Sequence, residues 1–204
     1  YRRWLDGKTV AVVGLAKSGV AAARLVARLG GHVLASDAAP REAWSPVARG
    51  LESPQIKTWS GHPDEAFRGA ELVVVSPGVP LETPSLVALQ ARGVPVISEL
   101  ELAFRVLEAE VIAITGTNGK TTTTALTGEI LRGQVRPVLV GGNIGTPLSE
   151  GALDFPAAGL VVVQVALSVV LVVAAGAFIR SLVSLTSRTL GFNADSVLVA
   201  TIDP

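Results

Sequence analysis

One stretch constrains this chain more than any other: Ile112-Ala113-Ile114-Thr115-Gly116-Thr117-Asn118-Gly119-Lys120-Thr121-Thr122. A β-branched apolar run enters a glycine-bearing loop, and a lysine with a run of threonines opens a predicted helix. That arrangement suits a nucleotide triphosphate. Glycines let backbone N–H groups close around phosphate oxygens, and the new helix turns its positive end toward them. Lys120 is placed to reach the β- and γ-phosphates, and the Thr121 hydroxyl to ligate Mg²⁺. The spacing is G-x-x-G-K-T, two residues shorter than the general G-x-x-x-x-G-K-[ST] pattern. A plain strand–turn–helix corner carrying a surface lysine is the competing reading.

The length, 204 residues, allows one large or two small domains with a real core. Lys+Arg 17 against Asp+Glu 17 leaves no net charge, so nothing basic argues for nucleic acid. Cys 0 excludes disulfides, thiol catalysis and cysteine metal sites, and fits a reducing compartment. Met 0 and a first residue Tyr1 lead us to expect that the natural start is missing, and no signal peptide is visible.

Upstream of the loop the chain alternates strand and helix. Thr9–Val13 reads as a buried strand, Gly14-Leu15-Ala16-Lys17-Ser18-Gly19 as a turn, and Val20–Leu29 as an alanine-rich helix closed by Gly30-Gly31. His32–Ser36 is a second strand ending at Asp37, an acid 18 residues after Gly19. This βαβ unit approaches the dinucleotide fingerprint, but Ala16 replaces its middle glycine, where the backbone must approach a pyrophosphate. Strands follow at Gln55–Trp59, Glu71–Val75 and Val94–Ile97, with helices at Pro63–Arg68, Thr83–Arg92 and from Ser98, which has Glu101 at capping-box spacing. Ser76-Pro77-Gly78 lies at a strand's C-terminal end, where open α/β sheets bind ligands. A second unit runs from the strand at Val111 through a helix at Lys120–Leu131 and a strand at Arg136–Val140 to the loop Gly141-Gly142-Asn143-Ile144-Gly145. The rhythm predicts a parallel sheet with helices on both faces.

The tail breaks the rhythm and carries most of the excess behind a mean hydropathy of +0.51. From Leu160 to Ile179 the only clearly polar side chains are Gln164 and Ser168. A helix of that length spans about 30 Å, a bilayer core. A buried strand accounts for Leu160–Val163 but not for the whole run, so the stretch taken alone favours a membrane span.

Residues 7 to about 163 resemble the start of a MurD-type Mur ligase. The resemblance rests on Gly14–Gly19, Asp37, Ser76-Pro77-Gly78, Gly116-Thr117-Asn118-Gly119-Lys120-Thr121-Thr122 and Gly142-Asn143-Ile144-Gly145. The shortened phosphate loop is the form that family uses. The resemblance implies an α/β fold: a Rossmann-like parallel-sheet UDP-sugar-binding domain over 1–108, then the start of a P-loop central domain over 109–163. Residues 164–204 would form a hydrophobic helical tail. It implies UDP-sugar contacts at Leu15, Lys17, Ser18, Asp37, Ser76, Pro77, Gly78 and Asn143. It also implies ATP at Gly116, Thr117, Asn118, Gly119, Lys120, Thr121 and Thr122, with Lys120 catalytic and Thr121 on Mg²⁺. The implied reaction adds D-glutamate to UDP-N-acetylmuramoyl-L-alanine through an acyl phosphate, in peptidoglycan precursor synthesis. The implied enzyme is a cytoplasmic monomer.

Two departures accompany the resemblance. Where the family carries an acidic Glu-Leu-Ser-Ser segment whose glutamate holds Mg²⁺, this chain has Gln164, a neutral amide. The rest of the central domain and the domain that would hold D-glutamate do not follow. Residues 164–204 instead resemble a MacB/FtsX-type permease transmembrane segment, which suggests a chimera joined near residue 164. The expectation is a truncated ligase without a complete catalytic site. The alternatives are a membrane-anchored nucleotide-binding or permease-related component, touching the membrane through 160–179, and an NAD-dependent oxidoreductase built on Gly14–Asp37.

Overall fold

The strands alternate side chains between two faces, and the apolar residues of this chain are spent on both. In the computed structural model, which describes residues 1–116, 118–132, 137–142 and 145–164, Val10 and Val12 of the first strand enter one core while Ala11 and Val13 enter another. A strand buried on both faces is the signature of a parallel sheet sandwiched by helices.

The element order is α1 (Arg2–Leu5), β1 (Thr9–Val13), α2 (Lys17–Arg28), β2 (His32–Asp37), α3 (Pro46–Arg49), β3 (Ile56–Ser60), β4 (Leu72–Val75), α4 (Pro84–Ala91), β5 (Val96–Ser98), α5 (Glu99–Val106), β6 (Glu110–Ile114), α6 (Lys120–Arg132), β7 (Val138–Gly142), α7 (Leu148–Gly151) and β8 (Leu160–Gln164). Single 3₁₀ turns occupy Arg41–Ala43 and Asp64–Phe67. The latter replaces the short helix expected at Pro63–Arg68.

Five strands pair in the order β3-β2-β1-β4-β5, all parallel. The order reverses direction at β1, so the connections leave β1 and β4 on opposite sides of one crevice. In open α/β sheets that crevice, at the carboxyl ends of the strands, is where ligands bind. One face of this sheet packs Leu72 and Val74 with Val20, Leu25 and Val26 of α2 and with Leu102 and Val106 of α5. The other packs Val73 and Val75 with Ala66, Phe67 and with Leu86 and Leu89 of α4. The α/β parallel-sheet expectation is met, with helical layers on both faces.

A second parallel sheet has the order β6-β8-β7. Val161 and Val163 of β8 join the same core as α2 and α5, and Leu148 and Ala152 around α7 complete it. Both sheets belong to one compact unit, Tyr1–Val165. On the opposite face α6 lies close against β7: a Cβ on Gly128 would stand 2.3 Å from Val140 Cγ2. Leu126 and Ile130 of α6 point away and are exposed.

The membrane expectation is corrected at its start. Leu160–Gln164 is not helical but the central strand of the second sheet, bonded in register to both β6 and β7. Its valines find a protein core on both faces, which removes the need for lipid: Val161 and Val162 are fully buried. Among the described residues no helix is long and apolar enough to cross a membrane. The remainder of the expected span, 165–179, and the permease-like reading of the tail lie outside the described residues.

Candidate functional site: a cavity beside the glycine turn and a second glycine loop

The chain leaves β1 at Gly14 with φ +88, a conformation that favours glycine, and a Cβ there would stand 2.9 Å from Val79 Cγ2. Gly14 N donates to Ser36 O at 2.8 Å and the Ser76 hydroxyl donates to Gly14 O at 2.8 Å, so the turn is tied to both neighbouring strands. The Asp37 carboxylate completes the frame. Its Oδ2 accepts from Leu15 N at 2.6 Å, and its Oδ1 accepts from Ala39 N at 2.8 Å. An acid at the end of β2 therefore fixes the turn at the end of β1 by charge-assisted bonds.

Against this frame lies a cavity of about 870 Å³. Leu15, Ala16, Lys17 and Asp37 line one side, with Val20, Ala21, Arg24, Leu25 and Arg28 of α2 continuing along it. Trp44 and Val47 close another side, and Gly145, Thr146, Pro147, Ser149 and Glu150 form the facing wall. The volume and the mixed apolar and charged lining match a site for a nucleotide-sized ligand. Arg28 is held by Asp154 at 2.8 Å, both side chains exposed. That pairing raises the Arg28 pKa and lowers that of Asp154.

The expected UDP-sugar residues divide into three groups. Leu15, Lys17 and Asp37 line the cavity. Ser76 is buried and turned inward on Gly14, and Ser18, Pro77 and Gly78 stand outside the lining. Asn143 lies outside the described residues, although Gly145 and Thr146 just after it form cavity wall. Sequence reasoning missed Arg24, Trp44, Val47 and the Thr146–Glu150 wall. No spacing marked them, because helix length and loop path alone carry them to the cavity.

The second site follows β6. Gly119 has φ +75, and α6 starts at Lys120 with 13 residues. Lys120 Nζ donates to Gly116 O at 2.6 Å, which folds the lysine over the loop. A glycine loop, a lysine above it and a helix N-terminus fit a phosphate group. Asn118, Gly119, Thr121 and Thr122 lie in or just after this loop, and Thr117 lies outside the described residues. Thr121 Oγ1 donates to Gln164 Oε1 at 3.3 Å, so β8 delivers residue 164 to the threonine.

Those two neutral oxygens do not fit a dedicated Mg²⁺ site, which calls for carboxylate charge alongside phosphate. Among the described residues no group of three or more His, Cys, Asp or Glu is placed to hold a metal ion.

Residues 8–98 match the family model for the Mur ligase MurD-like N-terminal domain. Over those residues the chain carries a Mur ligase MurD-like N-terminal domain. It is 50% identical over 161 residues to a UDP-N-acetylmuramoylalanine--D-glutamate ligase of Anaeromyxobacter dehalogenans, covering 78% of this chain and 35% of the relative. Similar relatives occur in Trichlorobacter lovleyi, 50% identical over 156 residues covering 76% of this chain and 34% of the relative, and in Shouchella clausii, 45% over 162 residues covering 79% and 36%. The chain thus spans about a third of the length of the curated relatives it matches, 35% in the first case. Among solved structures it resembles the UDP-N-acetylmuramate-alanine ligase MurC of Thermotoga maritima, with TM-score 0.51, 24% identity and coverage of 78% of this chain and 37% of that one. At that identity the likeness shows the Mur ligase fold alone. The permease-like reading of 164–204 gains no support from these matches.

Proposed function

We propose that this chain carries the nucleotide-sugar-binding and phosphate-binding portions of a ligase that joins D-glutamate to UDP-N-acetylmuramoyl-L-alanine in peptidoglycan precursor synthesis. The observation that carries the reading is the cavity at the carboxyl end of β1, lined by Leu15, Lys17 and Asp37, in a chain 50% identical over 161 residues to one such ligase. In this reading residues 1–108 hold the UDP-sugar and 109–163 begin the ATP-binding domain.

ATP, when bound, supplies the phosphoryl group that activates the substrate carboxylate. The chain's own part is positioning and charge. Main-chain N–H groups of the Gly116–Thr122 loop and the Lys120 ammonium neutralise phosphate oxygens, and the Asp37-braced turn orients the sugar nucleotide. Lys17 and Arg24, which make no ion pair among the described residues, give the cavity positive charge for a diphosphate. The dinucleotide alternative is disfavoured because Ala16 stands where that fingerprint needs its middle glycine.

Titration of the full chain with UDP and with NADH, followed by calorimetry, tests the reading. We expect saturable UDP binding and none with NADH, and ATP binding that Lys120→Ala abolishes without loss of the fold. NADH binding, or equal ATP affinity in Lys120→Ala, overturns it.

A further inference from the structure

Glu99 is the first residue of α5, where an acid is favoured by the helix N-terminus. Such residues ordinarily stay in water. Glu99 is instead 3% exposed, and burial pushes its carboxyl up from the usual glutamate value against the opposing effect of the bond from the Ser149 backbone N–H. A buried carboxylate is costly unless it has a partner. Its partner lies 50 residues away: Ser149 N donates to Glu99 Oε1 at 2.7 Å.

Ser149 sits in α7, the short helix that packs against both α2 and α5. It belongs to the segment that forms the cavity wall facing Leu15 and Lys17. The neighbouring ties between these layers are weaker. Arg28–Asp154 is an exposed pair, and Arg2 reaches Ala152 O only at 3.5 Å. Glu99 therefore makes the buried polar tie between the first sheet's helical layer and the far wall of the cavity.

We propose that Glu99 is a positioning residue of the nucleotide-sugar site: its carboxylate oxygen fixes the Ser149 backbone and so holds the 145–150 wall at the distance the ligand requires. This role rests on the reading of the cavity given above. The chemistry asks for an acceptor oxygen at that point rather than for a charge. Glutamine keeps the acceptor, alanine removes it, and aspartate withdraws it by one methylene.

The test uses the full chain with UDP as the probe. Calorimetry gives affinity, and amide exchange followed by mass spectrometry reports the 145–150 segment. Glu99→Ala is expected to weaken UDP binding at least tenfold and to speed exchange there, with ATP affinity unchanged. Glu99→Gln is expected to stay within twofold of the unaltered chain on both. If Glu99→Ala does not fold, Glu99→Asp is expected to show the same loss. Equal UDP affinity in the alanine variant, or an equal loss in alanine and glutamine variants, overturns the role and leaves the reading of the cavity standing. Failure of the unaltered chain to bind UDP overturns both.

Discussion

A Cβ placed on Gly19 would stand 1.7 Å from the carbonyl oxygen of Gly14 and 2.7 Å from Ser76 Oγ. The first turn of α2 thus rests directly on the backbone that leaves β1. The obstruction is main chain, which cannot rotate aside as a side chain can. Overpacking a core typically costs about 1–3 kcal/mol, and Gly19→Ala is expected at or above the top of that range. Urea unfolding of the full chain measures it; a change under roughly 0.5 kcal/mol, the level of an ordinary surface substitution, would refute the close contact.

Asp37 divides its two oxygens between Leu15 N and Ala39 N. Asn at this position keeps one acceptor and turns an amide donor toward the other N–H. A hydrogen bond to a charged group contributes about 1.5–3 kcal/mol, so Asp37→Asn is expected to lose roughly 2 kcal/mol of stability. The loosened turn should also weaken UDP binding. Unchanged melting and unchanged UDP affinity together would show that the carboxylate does not brace the turn.

The Thr121–Gln164 contact places a neutral amide beside the Thr121 hydroxyl. Gln164→Glu supplies a carboxylate at the same point in β8. We expect Mg²⁺-dependent ATP affinity to rise about tenfold, roughly 1.4 kcal/mol, with little change in its absence. Calorimetry with and without magnesium decides, and an equal rise in both conditions counts against the assignment.

The raised Glu99 carboxyl makes stability depend on pH in a defined direction. Between the ordinary glutamate value of 4.5 and the raised folded value, the folded chain binds more protons than the unfolded one. Stability therefore falls as pH rises through that window, and the loss is complete above it. Glu99→Gln removes the titration. Its melting temperature, relative to the unaltered chain, is expected to be higher at neutral pH than at pH near 4, and a difference independent of pH would contradict the burial argument.

Much of the first sheet was legible beforehand because its strands are short β-branched runs separated by glycine turns. β1 and β2 fall within a residue of expectation, and Ser98 caps α5 by accepting from Glu101 N. Helix starts were less legible. α2 begins at Lys17, three residues before the alanine-rich run, since the turn residues are drawn in by contact with Gly14. The capping-box spacing drew attention to Glu101, which pairs on the surface with Arg105, while its neighbour Glu99 is the buried one.

The sequence by itself determined the glycine turns, the lysine loop and the alternation of strand and helix. These depend on local chemistry, namely where positive φ is needed and where a side chain may not be. Only the tertiary structure decided the fate of Leu160–Gln164 and the role of Glu99. An apolar run reads alike as lipid-facing helix or buried strand until neighbouring strands on both sides claim its backbone bonds. A carboxylate reads as surface until a helix 50 residues later brings it a donor.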